Sequence, residues 1–310
     1  MSYRDHLPQL DDGLFLTDGG IETTLIFHDG LELPEFAAFP LLESDEGLAA
    51  LRRYYAPYLQ LARERDAGFI LEAPTWRANR DWGTRLGYSP QALDAVNRKG
   101  IALLEELRDA YEGDAPVVIS GCIGPQGDGY DPDEFLSADA AEEHHAVQIS
   151  TFADTAADMV TALTMTYVEE AVGVVRAGTA AGIPAVISFT VETNGRLPSG
   201  QPLADAIEQV DADTDGAAAY FMVNCAHPTH FHHVLGDRLE RVRGIRANAS
   251  TKSHAELDES TELDAGNPLE LAAGYVALRA RLPRLSVLGG CCGTDYRHLE
   301  AILTAWQATS

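Results

Sequence analysis

Short runs of apolar and β-branched residues recur along the chain and alternate with longer amphipathic stretches. The apolar runs occupy residues 14–17, 68–72, 117–121, 159–163, 185–190, 220–224, 242–247 and 285–289. Helical periodicity is found at 48–67, 90–111, 138–157, 168–181, 202–212, 267–281 and 296–306. This alternation is typical of parallel strands joined by crossover helices.

Eight strand–helix units predict an α/β fold, a (β/α)8 TIM barrel, with an open doubly wound sheet as the alternative. The sequence contains neither a GxGxxG nor a GxxxxGK[ST] phosphate loop, which removes the usual reason to favour the open sheet. No Pro/Gly/Ser-rich linker divides the chain, and segments 198–200 and 256–264 are typical of surface loops. We therefore expect a single barrel domain over residues 1–310.

The charge of the chain narrows its expected partners. It carries 48 acidic and 22 basic residues, for a formal net charge of -26. Such a surface repels phosphate backbones and anionic lipids, so we expect neither nucleic acid nor membrane as a partner. The N-terminal residues carry charges and a proline where a secretory signal needs an apolar run. We expect a cytoplasmic protein, and the sequence leaves its oligomeric state open.

Unusual polar and sulfur-bearing residues follow six of the eight apolar runs. These segments are DGG at 18–20, EAPTW at 72–76, CIGP at 122–125, TVETN at 190–194, NCAHP at 224–228 and GCCG at 290–293. Active sites of TIM barrels are built at the carboxyl ends of the strands. We therefore expect these segments to meet at one face of the barrel.

Three cysteines in these segments have the pattern of a metal site. Cys291 and Cys292 are adjacent, and both can reach one ion only where the backbone bends, which the flanking glycines permit. Cys225 follows the sixth run, and a barrel brings it to the same rim. Three thiolates leave a fourth tetrahedral position open, as in catalytic zinc sites. Such a site deprotonates an incoming thiol and suits displacement at an activated methyl carbon on a sulfonium or quaternary ammonium.

From the residues alone, a different interpretation of these three cysteines stands beside the metal site. They could be small buried residues without a ligand, which is the favoured interpretation for Cys122. A vicinal disulfide between Cys291 and Cys292 is a lesser alternative.

The histidines and a lysine near these segments could also take part in chemistry. Four histidines follow Cys225, and we expect most of them on the surface of a loop that turns into a helix, not on the metal; they are His227, His230, His232 and His233. Lys252 could form a Schiff base as in barrel aldolases, although a solvated lysine is the favoured interpretation. At the end of the second run, Glu72 is a functional candidate, and the ring of Trp76 could hold a cationic donor.

Several segments resemble the homocysteine S-methyltransferase family, which includes betaine- and S-methylmethionine-dependent enzymes. They are LTDGGIETTL, GCIGPQGDGY, ISFTVETNGRLPSG, MVNCAHP and GGCCGTD, and the resemblance runs from about residue 14 to residue 299. It implies a (β/α)8 barrel in which Cys225, Cys291 and Cys292 hold Zn2+ and catalyse methylation of homocysteine to methionine. Asp18 matches a family residue that lines the substrate pocket.

The resemblance also implies which small molecules take part. The sequence given spans the catalytic barrel and has no room for the cobalamin and folate modules of the large methionine synthases, so we expect a free methyl donor. S-methylmethionine or S-adenosylmethionine is favoured over betaine because the barrel is compact. Leu163 stands where the betaine enzymes have a glutamate that binds the amino group of homocysteine. Either Glu192 or Glu72 replaces that glutamate, or the acceptor is another thiol. The expected substrate contacts are Asp18, Glu72, Thr75, Trp76, Glu192 and Asn224. A barrel that binds a metal or small molecule without catalysis is also possible from the sequence.

Overall fold

Eight parallel strands form a closed ring in the computed structural model, which describes residues 2–11, 13–129 and 135–309. The strands are β1 Phe15–Leu16, β2 Gly68–Glu72, β3 Val117–Ile123, β4 Met159–Met165, β5 Ala185–Phe189, β6 Phe221–Asn224, β7 Val242–Ala247 and β8 Val287–Gly290. They are neighbours in chain order, and β1 pairs with β8 through Phe15 and Val287. The TIM barrel is confirmed, and the open sheet is excluded because the ring is closed.

Eleven α-helices lie in the described part of the chain. They are α1 Ile21–Phe27, α2 Asp45–Glu64, α3 Arg80–Arg85, α4 Pro90–Asp109, α5 Ala138–Ala153, α6 Val168–Ala181, α7 Leu203–Asp213, α8 Pro228–Phe231, α9 His254–Asp258, α10 Pro268–Arg279 and α11 Tyr296–Ala308. Short 3-10 helices occupy Pro8–Leu10, Pro34–Phe36, Phe39–Glu43, His232–Val234 and Asp237–Leu239. Among the described residues, no helix has both the length and the apolar character needed to cross a bilayer.

The seven helices that the sequence predicts are all present, and their ends are set by local chemistry. Ser44, Ser89 and Ser137 accept hydrogen bonds from backbone N–H groups in the first turns of α2, α4 and α5. A serine in this position satisfies an N–H group that has no partner within the helix. The other four helices, α1, α3, α8 and α9, are four to seven residues long and follow strands; of these, only α8 was expected, as the helix into which the loop after Cys225 turns. They build the face that carries the strand ends.

The interior of the barrel is apolar below that face. Ile70, Val118, Val186 and Met222 belong to one buried cluster that also contains Leu7 from the N-terminal segment. Alternate residues of a strand point to the same side of a sheet. Glu72 therefore projects into the interior above Ile70, and charged groups at the strand ends lie over a water-poor floor.

Candidate active site

The three cysteines of the predicted metal site lie together at the carboxyl ends of β6 and β8. The Sγ atoms of Cys225, Cys291 and Cys292 are all within 4.8 Å of one another, and those of Cys225 and Cys292 are 3.7 Å apart. Zinc–sulfur bonds of about 2.3 Å in tetrahedral geometry place sulfur atoms about 3.8 Å apart. The donor set therefore fits Zn2+ with three thiolate ligands and one open position. All four cysteines are free thiols, so the vicinal disulfide is not present.

The backbone bends at both strand ends that carry these thiols. Cys225 has a φ of 56° and Gly293 a φ of 78°, both in the left-handed region that non-glycine residues seldom adopt. The Cys225 N–H donates to the carbonyl of Arg246, and the Cys291 N–H donates to the carbonyl of Ala247. Both strand ends are thus held on β7, which lies between them.

Hydrogen bonds among the three thiols shift the pKa values of Cys291 and Cys292 in opposite directions. Hydrogen bonds from Cys225 and Cys292 lower the pKa of Cys291 well below its usual value, and the nearby charge of Arg246 acts in the same direction. The hydrogen bonds with Cys225 and Cys291 raise the pKa of Cys292. Among the three thiols, Cys291 is thus the one whose pKa its surroundings lower.

Two side chains hold the carbonyl of Cys225. His254 Nε2 donates to this oxygen at 2.6 Å, and Asn248 Nδ2 donates to it at 3.0 Å. The other ring nitrogen of His254 lies 3.3 Å from Glu192 Oε1. Burial lowers the pKa of His254, but hydrogen bonds with Glu192 and the Cys225 carbonyl outweigh burial and raise it. Glu192 thus acts on His254, and it is not among the residues that line the cavity described next.

A cavity of about 50 Å³ adjoins the thiol cluster at the mouth of the barrel. Charged, aromatic and apolar side chains share its wall. The lining includes Asp18, Glu22, Glu72, Trp76, Cys122, Leu163, Asn224 and Arg246.

Arg246 and Asp18 form a buried ion pair in this wall. Arg246 Nη2 donates to Asp18 Oδ1 at 2.7 Å, and its Nε donates to the carbonyl of Gly290 at 3.1 Å. The Tyr54 hydroxyl donates to Asp18 Oδ2 at 2.9 Å. Burial raises the pKa of Asp18, opposed by the charge of Arg246 and the hydrogen bond from Tyr54. Both carboxylate oxygens of Asp18 are therefore already engaged by the protein.

Two further carboxyl groups line the cavity. Burial raises the pKa of Glu72 to about 7, although the charge of Arg246 opposes this shift. Burial also raises the pKa of Glu22, in the first turn of α1, to about 7. The Oε2 atom of Glu72 has no hydrogen-bond partner within the described part of the chain. The cavity thus holds two carboxyl groups that change charge near neutral pH.

The remaining expected substrate contacts differ in their exposure to the cavity. Asn224 lines it, but its Oδ1 accepts from the Thr164 N–H at 2.9 Å and from Ser188 Oγ at 2.7 Å. Thr164 has a φ of 65°, so Asn224 supports a strained residue at the end of β4. Thr75 donates its hydroxyl to the carbonyl of Cys122 at 2.8 Å and is not part of the lining.

Trp76 lies on the boundary between this cavity and a second one of about 290 Å³. Its Nε1 is 3.3 Å from the carbonyl of Leu163, and the guanidinium carbon of Arg77 lies 5.0 Å from its ring centre. The second cavity also reaches Cys292. Its aromatic and acidic lining residues are Phe27, Phe36, Trp76, Asp128, Asp258, Glu262 and Asp264.

The four histidines that follow Cys225 divide between the surface and the interior. His232 and His233 are exposed, whereas His227 and His230 are buried, so the expectation that most of the four lie on the surface holds for two. The expectation fails for His227 and His230 because α8 packs against α10, and His230 Nε2 donates to the carbonyl of Thr251. Among the described residues, the three cysteines are the only group that could hold a metal, and no histidine joins them.

Comparison with known proteins agrees with this geometry. The family model of the homocysteine S-methyltransferases matches residues 15–306. The chain belongs to this family. It is therefore a methyltransferase. No curated protein matches the sequence.

Two solved structures have the same fold as this chain. The oxidized form of the homocysteine methyltransferase MmuM from Escherichia coli has 19% identity and a TM-score of 0.76, with all of both chains covered. Its metallated form has 18% identity and a TM-score of 0.74, with 95% of this chain and 96% of that chain covered. At such identities the similarity establishes the fold only.

Sequence reasoning missed several side chains of the site in this family member. Arg246 was hidden within a strand run, although two arginines in the segment VRGIRA are unusual for a buried strand. Glu22 follows the DGG segment by two residues, where α1 begins. His254 and Asn248 follow β7, and none of the segments that resemble the family includes β7 or the residues after it. A charged residue within an otherwise apolar strand was the available signal.

Lys252 lies outside both cavities of the methyltransferase. Its Nζ is 3.7 Å from Asp264 Oδ2, and its side chain is half-exposed. A Schiff base at this lysine would form away from the thiol cluster.

Proposed function

We propose that the protein transfers a methyl group from a sulfonium donor, S-methylmethionine or S-adenosylmethionine, to the sulfur of homocysteine, giving methionine. The observation that carries this proposal is the group of three thiols beside a cavity, since their spacing fits Zn2+ with one position free. We also propose that the chain acts as one barrel domain in the cytoplasm, with small molecules as its partners.

The residues that would hold the metal are Cys225, Cys291 and Cys292. Bound Zn2+ supplies a positive charge that lowers the pKa of a coordinating thiol. The protein's own contribution is to hold the three sulfur atoms close together in a wall over an apolar floor. His254 and Asn248 support this arrangement because both donate to the carbonyl of Cys225.

The two adjoining cavities suit two substrates. The smaller one lies against the cysteines and carries charged groups, which supports an acceptor with a charged end. The larger one has aromatic rings and acidic residues, which attract a sulfonium cation through cation–π and Coulomb interactions. Both cavities reach Cys292 and Trp76, so a donor methyl group and an acceptor sulfur could meet there.

The leaving group requires no proton from the protein. A new sulfur–carbon bond forms on the acceptor, while the bond between the methyl carbon and the sulfonium sulfur breaks. The electron pair of the broken bond stays on the donor sulfur, which becomes a neutral thioether. The side chains of the site therefore need only bind and orient the two substrates. The thiol proton of the acceptor is the only proton that the reaction releases.

A second candidate function keeps this chemistry and changes the acceptor. Leu163 lines the cavity at the position where the betaine enzymes have a glutamate for the amino group. A thiol without an amino group would tolerate this apolar side chain.

Zinc content and methionine production test the proposal together. We expect about one zinc per chain by elemental mass spectrometry, and methionine from homocysteine with at least one sulfonium donor. The Cys291→Ala variant should lose both, whereas Cys122→Ala should keep its zinc because Cys122 lies outside the thiol cluster. Bound zinc without methionine from either donor would reject homocysteine as the acceptor, and equal zinc in the two variants would reject the metal site.

A further inference from the structure

Two charged side chains of opposite sign line the smaller cavity, and each keeps one atom without a partner. Glu72 Oε2 and Arg246 Nη1 have no hydrogen-bond partner among the described residues. Glu72 is 5% exposed and Arg246 is 4% exposed, so solvent does not replace the missing partners. We call Glu72 and Arg246 the head-group pair.

Unpartnered charged atoms are uncommon inside proteins, because a buried charge without a partner loses its hydration without compensation. The rest of the Arg246 guanidinium is well satisfied, since Nε and Nη2 donate to Gly290, Asp18 and Gly19. These contacts fix the guanidinium in place and leave Nη1 as its one nitrogen without a partner among the described residues. One donor and one acceptor thus remain in the same wall.

The other acidic groups of the cavity are less suited to a ligand ammonium. Asp18 has both oxygens engaged, by Arg246 and by Tyr54. No oxygen of Glu22 is among the buried atoms that lack a hydrogen-bond partner in the described part of the chain. Leu163 offers no polar atom. Glu72 is therefore the buried carboxylate with an oxygen left for a cation.

We propose that the head-group pair binds the zwitterionic end of an α-amino acid, with the ligand ammonium on Glu72 Oε2 and the ligand carboxylate on Arg246 Nη1. A zwitterion supplies both missing partners at once and adds no net charge to the cavity. Arginine is suited to the carboxylate because its planar guanidinium donates in a fixed direction. The inference rests on the proposed function, in which the thiol end of the same molecule lies at the cysteines.

This assignment predicts a selectivity that thiol chemistry alone does not. Homocysteine should bind more tightly than 4-mercaptobutanoate, which lacks the ammonium, and than 3-mercaptopropylamine, which lacks the carboxylate. A hydrogen bond to a buried charged group contributes enough to change affinity by about 10- to 150-fold. Each truncated thiol should therefore bind at least about 10-fold more weakly.

Isothermal titration calorimetry of the full chain with these three thiols tests the inference without a methyl donor. Glu72→Gln should weaken homocysteine binding by at least about 10-fold and affect 4-mercaptobutanoate much less. Glu170→Gln is the matched control, because Glu170 is equally buried but has partners in His145 and the Gln126 N–H and does not line the cavity. It should preserve the order of the three affinities.

Arg246→Lys retains the charge, but one ammonium cannot make all the contacts of a guanidinium. It should remove the preference for homocysteine over 3-mercaptopropylamine. Because this change could also unfold the site, the same comparison on the unaltered protein tests the carboxylate contact independently.

The outcomes separate this inference from the proposed function. Preference for homocysteine without methyl transfer from any donor would remove the proposed function and keep the head-group pair. Equal affinities for the three thiols, no binding of any of them, or equal losses in Glu72→Gln for homocysteine and 4-mercaptobutanoate would overturn the head-group pair even if methyl transfer occurs.

Discussion

Arg246 Nη2 lies 2.7 Å from Asp18 Oδ1, and this ion pair joins β7 to the end of β1 across β8. The two side chains are 5% and 3% exposed. The pair thus ties the last quarter of the barrel to its first strand at the level of the thiol cluster.

The first prediction concerns this ion pair. Asp18→Ala leaves the Arg246 charge buried without its partner, so we expect the free energy of unfolding to fall by about 3 to 5 kcal/mol. Asp139→Ala breaks the exposed pair with Arg176 and should cost less than about 1 kcal/mol. Urea denaturation at matched metal content measures both. Equal losses in the two variants would show that burial does not strengthen the Asp18 contact.

The second prediction concerns pH. The pKa of Glu72 is raised to about 7 in the folded protein, from an ordinary value of 4.5. The folded state therefore holds this proton more tightly than the unfolded state, and the resulting stability is full below pH 4.5 and is lost as pH rises through about 7. The glutamine side chain in Glu72→Gln does not ionise, so this variant does not lose stability at position 72 as the pH rises.

We therefore expect the difference in unfolding free energy, variant minus unaltered protein, to increase by up to about 3 kcal/mol between pH 5 and pH 8. Urea denaturation at the two pH values measures it. Glu106→Gln is the control, because the hydrogen bond from Arg52 lowers the pKa of Glu106 and keeps it ionised over this range. A difference for Glu72→Gln that stays constant with pH would contradict the raised pKa.

The third prediction concerns the support of Cys225. His254→Ala removes the 2.6 Å hydrogen bond to the Cys225 carbonyl, so this thiol is less well oriented. We expect zinc affinity to fall about 10- to 100-fold, as for other groups that orient metal ligands. Competition with a chromophoric chelator measures it. His233→Ala, at an exposed position, should leave zinc affinity unchanged, and a similar loss in both variants would deny His254 this role.

Strand positions could be predicted from the sequence because the barrel buries every strand. The runs at 68–72 and 242–247 coincide with β2 and β7, and the other strands differ by a few residues at their ends. Cys225, Cys291 and Cys292 were also predictable as a group, because the fold places the ends of β6 and β8 on one face. Short helices such as α1 and α9 were not, since five to seven residues give no clear periodic signal.

The contacts around the cavity could not be predicted, because they depend on pairing between distant segments. Nothing in the sequence around Asp18 indicates that Arg246 would engage its carboxylate, 228 residues away. Likewise, Glu72 ends β2 and Glu192 follows β5, yet Glu192 contacts His254 and Glu72 lines the cavity. Side-chain direction at a strand end depends on the local bend, and sequence spacing does not specify it.

The division of the thiols between β6 and β8 bears on how the chain is synthesised. A growing polypeptide that has released β6 but not β8 offers a single cysteine of the group, so it cannot assemble the three-sulfur site. The complete site exists only after the last strand has joined the first. Metal capture would therefore be a late event of biogenesis, and truncated products of translation would not compete with finished molecules for the cell's zinc.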